Sequence, residues 1–125
     1  MAEISIDVDR KNDITIIAIK GTLEKEDLPN TLSEYFANEP TMNTIYDSTE
    51  GDWSNNPSKY YMDMIRSSKV YARKGARTAM VFSNPVDFGI GRMVESHCEL
   101  EGYENELACF HSLQDAKHWL SPPTS

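Results

Sequence analysis

Apolar and polar residues alternate through Ile4–Val8 (ISIDV), and a β-branched run follows at Ile14–Gly21 (ITIIAIKG), with the turn-rich Asp9–Asp13 between them. A period of two sends successive side chains to opposite faces, so this pattern predicts an antiparallel hairpin. Leu28, Leu32, Tyr35 and Phe36 then recur at helical spacing, and Pro40 marks the end of that stripe. Pro29 falls in the first turn, where a missing N–H does little harm. Asn43–Thr49 (NTIYDST) reads as a third strand and Glu50–Pro57 (EGDWSNNP) as a loop. A long helix opens at Pro57 or Ser58, carries Tyr61, Met64, Ile65, Ser68, Tyr71 and Ala72 inward, and stops at Gly75. Arg77–Ser83 is a fourth strand, continuously apolar in its middle, as a sheet covered on both faces requires. Another helix spans about Val86–Leu100 and closes near Gly102. Glu106–Ser112 is a fifth strand, and Ser112 caps a last helix with Asp115 three residues on. Strands alternating with helices imply parallel pairing through right-handed crossovers. The expected fold is therefore α/β: a five-stranded mixed sheet, antiparallel in its first hairpin, flanked by four helices in the order β-β-α-β-α-β-α-β-α.

Within Val86–Leu100, the residues Val86, Ile90, Met93, Val94 and His97 form the expected apolar face, and two glycines interrupt the helix. A helical glycine costs about 1 kcal/mol relative to alanine, so each needs a reason. Gly89 is expected to be the close-packing one. Gly91 is open between a tolerated surface glycine and a point of approach for a ligand or partner. Val94 stands where a dinucleotide fingerprint needs its third glycine, and no P-loop is present.

The 125 residues suit one domain over 1–125, and a formal charge of −8 argues against nucleic acid and anionic membrane surfaces. No apolar run is long enough to span a bilayer, and the amino-terminal stretch has no signal-peptide pattern, so the expected location is cytoplasmic. The charge is uneven. Six basic residues in Ser58–Arg77 against Asp63 alone give +5, leaving −13 elsewhere. Arg66, Lys69 and Arg73 line one side of their helix, either as a solvated face or as a docking stripe for an acidic partner. Cys98 and Cys109 have neither CxxC nor framework spacing, and the expectation is two reduced thiols. By period two, Cys109 shares a strand face with His111, but no metal-ligand spacing accompanies them, so no metal or cofactor is expected.

The strand TAMVFS, the segment NPVDFGIGRMVES, the strand IYDST and the closing CFHSLQDAKHWL resemble the STAS-like bacterial domains. These are relatives of the sporulation anti-sigma-factor antagonist, grouped with a CRAL-TRIO-like lipid-binding fold. The resemblance follows element order from Ile14 to Leu120. It rests in detail on Phe88, Gly89, Arg92 and Met93, and on Ala116, Trp119 and Leu120. It implies a SpoIIAA-like sheet and a regulatory or binding role in preference to catalysis. The antagonists carry a phosphorylatable serine in a DSSG-like turn. Here Asp47–Gly51 (DSTEG) has an added glutamate, and Ser54 and Ser58 lie nearer the next helix, so that motif is not reproduced.

Ligands and partners of open α/β sheets meet the loops at the carboxyl ends of the parallel strands. That rim would present Asp47, Ser48, Thr49, Trp53, Asn84, Asp87 and Phe88, with Arg92 one turn into its helix. Trp53 in a polar loop is either a lid tucked over the core edge or a contact for a ligand or protein. No catalytic residue is assigned. The expected function is a non-catalytic interaction module with a protein partner, acidic if the basic stripe docks it. The alternative is a carrier of a small apolar or anionic ligand, with a pocket lined by Tyr60, Tyr61, Met64, Phe88 and Met93. An edge strand and exposed aromatics also suit a homodimer, which sequence does not decide.

Overall fold

Alternation in the first two strands does what a period of two requires: Glu3–Asp9 (β1) pairs antiparallel with Ile14–Thr22 (β2), and Ile4, Ile6 and Val8 lie opposite Ile19, Ile17 and Thr15. The computed structural model describes residues 2–37, 40–68 and 74–121, and for Phe36, Ser58 and residues 65–68 the backbone alone. Asp27–Phe36 (α1), Asn43–Asp52 (β3), Ser58–Ser68 (α2), Arg77–Phe82 (β4), Pro85–Leu100 (α3), Glu106–Phe110 (β5) and Leu113–Leu120 (α4) follow in the expected order. The strands lie side by side as β1-β2-β3-β4-β5, and every pair after the hairpin is parallel.

A sheet wound in one direction places each right-handed crossover helix on the same face. The core divides accordingly. Ile19, Met80 and Phe82 of the sheet pack with Leu28 of α1, Tyr61 of α2, and Val94 and Cys98 of α3. Ile45, Ala79 and Val81 on the opposite face pack with Ala116 and Leu120 of α4. β4 is covered on both sides, and Ala79–Phe82 are buried without a break. Ser112 Oγ caps α4 by accepting the Asp115 N–H at 3.1 Å.

Buried polar groups at the amino-terminal edge of the sheet are paired among themselves. Tyr35 Oη donates to Thr15 Oγ1 at 3.0 Å, and the Thr15 and Thr41 hydroxyls lie 2.7 Å apart. An unmade hydrogen bond there would cost about 1–3 kcal/mol, so this trio fixes where α1 returns to β3.

The end of β3 differs from the sequence pattern. β3 runs on to Asp52, because Glu50, Gly51 and Asp52 pair with Lys20, Gly21 and Thr22. Between Ala18 and Lys20 β3 spends one residue more than β2, a bulge that bends the strand. The polar letters EGD read as loop, yet their pairing with β2 is non-local. The expected stop of α2 at Gly75 follows residues outside those described.

Candidate functional site

The third and fourth strands deliver their carboxyl ends to one rim. Ser83 Oγ, just past β4, donates to the Thr49 carbonyl on β3 at 2.7 Å. The Trp53 N–H donates to Asp87 Oδ2 at 3.1 Å, joining the end of β3 to the first turn of α3. Asn84 is the N-cap of α3, its Oδ1 accepting the Asp87 N–H at 2.8 Å. The sequence segments around Asp47–Trp53 and Asn84–Arg92 are thus neighbours, as strand-end geometry demands.

The interior of the rim is filled by Trp53. Its ring is 2% exposed, stacks on Tyr61 with centroids 5.3 Å apart, and meets Phe82 edge-on at 5.0 Å. The indole N–H donates to Ser48 Oγ at 2.9 Å, and the Trp53 carbonyl accepts the Tyr61 hydroxyl. A buried indole needs such an acceptor, and Ser48, itself fully buried, supplies it. Of the two expectations for Trp53, the structure has the tucked ring: no face of it is presented to a partner. The same bond places Ser48 in the core, so neither residue belongs to the outer surface of the rim.

Asp47 serves the bulge. Its Oδ1 accepts the N–H and hydroxyl of Thr49 at 3.2 and 2.8 Å, a local turn-type arrangement. Two residues beyond Ile45, its side chain lies on the α4 face, away from α3. Thr49 and Asn84 are half-buried.

Arg92 faces outward, and Phe88 lies at the margin, packed against the core cluster. The half-buried Phe88 ring stacks on exposed His111, immediately after β5, with centroids 4.1 Å apart and planes at 15°. Arg92 is one turn further along and 61% exposed, and pairs with Glu95 at 3.1 Å. Phe88, His111 and Arg92 thus share one side of α3, an aromatic pair beside a guanidinium, whereas Val86, 63% exposed, lies on the opposite flank of that helix. His111 was legible only as a period-two companion of Cys109. Both do face α3, Cys109 beside Gly91 and His111 against Phe88.

The close-packing role expected of Gly89 falls to Gly91 instead. A Cβ on Gly91 would run into the Phe82 ring and lie 3.1 Å from Cys109 Sγ, whereas one on Gly89 would meet nothing within 4 Å. Gly91 is the close-packing glycine. The buried stripe of α3 is Asp87, Gly91, Val94 and Cys98, turned by one residue from the apolar face read from the sequence. The cause is Asp87: a polar residue is buried because it satisfies the Trp53 N–H, and Val86 points to solvent in its stead.

Burial pushes the thiols of Cys98 and Cys109 up to about 12, which keeps both protonated and poorly nucleophilic. Among the described residues no cluster of His, Cys, Asp and Glu is large enough to hold a metal ion, and no helix is long and apolar enough to cross a membrane. The side chain of Arg66, together with Lys69 and Arg73, lies outside the described residues, so the basic stripe is known here only as a sequence pattern.

No family model matches this sequence, and no curated protein matches it. The arrangement of elements does have a solved counterpart. An uncharacterized protein from the DUF3478 family with a SpoIIAA-like fold, from Shewanella loihica PV-4, superposes with a TM-score of 0.62 over 96% of this chain and 95% of that one. The two sequences are 19% identical, so the likeness is one of fold. The chain has a SpoIIAA-like α/β fold.

Proposed function

We propose that this protein is a non-catalytic interaction module with a regulatory role, and that it meets a protein partner through the outer patch of the strand-end rim, Phe88, Arg92 and His111. The observation that carries this is the Phe88–His111 stack, an aromatic pair held in one orientation at the surface by the first turn of α3 and the end of β5. Aromatic and arginine side chains on rigid elements lose little entropy on contact, and they dominate protein interfaces. The space beneath the patch supports the same reading. Tyr61 is fully buried, and Tyr60, Met64, Phe88 and Met93, the residues expected to line a carrier's pocket, pack against the core cluster. Two thiols held protonated and a Ser48 hydroxyl bonded to the indole supply no activated nucleophile.

The test is affinity capture from the native host with wild-type protein and with Phe88→Ala and Arg92→Glu as parallel baits. A stoichiometric partner retained by the wild type and lost with both substitutions supports the proposal. A partner indifferent to both, or no stoichiometric partner, overturns the patch assignment. A partner lost instead on Arg66→Glu with Arg73→Glu moves the contact to the basic segment of the chain.

A further inference from the structure

Among the described residues, β1 borders the sheet, paired with β2 on one side and with no strand on the other. Natural edge strands are guarded by brevity, charged side chains (lysine above all), proline, bulges or a covering element, and β1 carries charge in the carboxylates of Glu3, Asp7 and Asp9. β1 has seven residues, pairs in an unbroken register, and contains neither proline nor lysine. Every residue but Ile4 is exposed, including Ile6 at 41% and Val8 at 40%. Its two faces differ sharply. Ile4, Ile6 and Val8 continue the α1–α3 side of the sheet, whereas Glu3, Ser5, Asp7 and Asp9 lie on the side that carries α4.

A second copy fits this edge poorly. Antiparallel pairing of two β1 strands that keeps the apolar sets together over five or more residues always sets a carboxylate opposite a carboxylate: Glu3 against Asp9, Glu3 against Asp7, or Asp7 against itself. Like charges directly opposite are destabilising. A strand carrying lysine or arginine at alternate positions reverses that term and brings apolar residues against Ile4, Ile6 and Val8.

We propose that the free edge of β1 accepts an extended segment of a partner protein, with basic and apolar residues alternating, as a sixth strand of the sheet. Main-chain hydrogen bonds supply the pairing, and the acidic face selects the basic side chains. This surface is separate from the strand-end rim and stands or falls apart from it.

Amide hydrogen exchange on the whole protein tests it, with an end-capped peptide of alternating valine and lysine as the probe. The lysine peptide is expected to slow exchange about tenfold or more at alternate residues of β1, those whose N–H groups point away from β2. Replacing lysine by glutamate in the peptide should abolish that protection. Glu3→Lys with Asp7→Lys should weaken the lysine peptide about tenfold, since two attractive contacts become repulsive. Phe88→Ala should leave its effect unchanged. No protection on β1, or equal protection by the two peptides, overturns the proposal. A dimer in sedimentation with β1 protected before any peptide is added also overturns it, because a second copy then occupies the edge.

Discussion

The Asp87 carboxylate and the Trp53 backbone N–H, 34 positions apart in the chain, meet at 3.1 Å in the interior of the rim. Asp87 is 1% exposed, and its second oxygen, Oδ1, has no hydrogen-bond partner among the described residues. The contact therefore joins β3 to α3 at the expense of a half-satisfied buried acid. Deleting the acceptor leaves the Trp53 N–H unpaired in the core, so Asp87→Ala should lower the unfolding free energy by about 1–3 kcal/mol. Asp87→Asn keeps an acceptor oxygen and removes the buried charge. Its loss should be smaller, the forfeited helix-dipole contribution being only about 0.3–1 kcal/mol. Urea denaturation of the three proteins checks the order. If alanine and asparagine cost the same, the Trp53 bond contributes nothing and the carboxylate serves α3 alone.

Alanine substitutions at the two glycines of α3 should have opposite signs. At Gly89 the new methyl enters open space on an exposed helical position, and the gain in helix propensity is about 1 kcal/mol. At Gly91 it would have to displace Phe82, a fully buried ring already in contact with Trp53. Overpacking of that kind costs about 1–3 kcal/mol, more than propensity returns. Thermal melts of Gly89→Ala and Gly91→Ala on either side of the wild type would bear this out. A stabilised Gly91→Ala would mean that the Phe82 ring has somewhere to go.

Those glycines also show where sequence pattern stops being informative. Element order, the mixed sheet and the capping of α4 by Ser112 follow from periodicity and local chemistry, both carried by neighbouring residues. The phase of α3 does not. A hydropathy stripe assigns Val86 inward and Asp87 outward, and only the position of Trp53, on another strand, inverts that assignment. The extension of β3 through Gly51 and Asp52 depends in the same way on β2. For the rim, Asn84, Phe88 and Arg92 were visible as a loop followed by a helix. The partnership of Phe88 with His111 joins two elements and leaves no mark on either. Trp53 was ambiguous because a tryptophan among polar letters has the same sequence appearance whether its indole finds Ser48 or a partner protein.

Alkaline pH should unfold this protein through groups that burial holds in their neutral forms. Cys98 and Cys109 are raised from 9.0 to about 12 by burial, with Glu95 adding to the shift at Cys109, and burial raises Tyr61 from 10.0 to about 12. Above pH 9 the unfolded chain releases thiol protons that the folded chain retains, and above pH 10 it releases the tyrosine proton as well. The unfolded state then binds fewer protons than the native state, so stability falls as pH rises. The contribution is complete below pH 9 and is lost progressively up to about pH 12, where the folded groups titrate. Melting temperatures under reducing conditions from pH 8 upward should show this decline. Replacing both cysteines by alanine removes the earliest-titrating pair, so the onset should move upward by about one pH unit, the spacing between the ordinary thiol value of 9.0 and phenol value of 10.0. Should the onset stay where it was, the thiols are already ionised in the folded protein, and Cys109 beside Gly91 would have to be reconsidered as a reactive group.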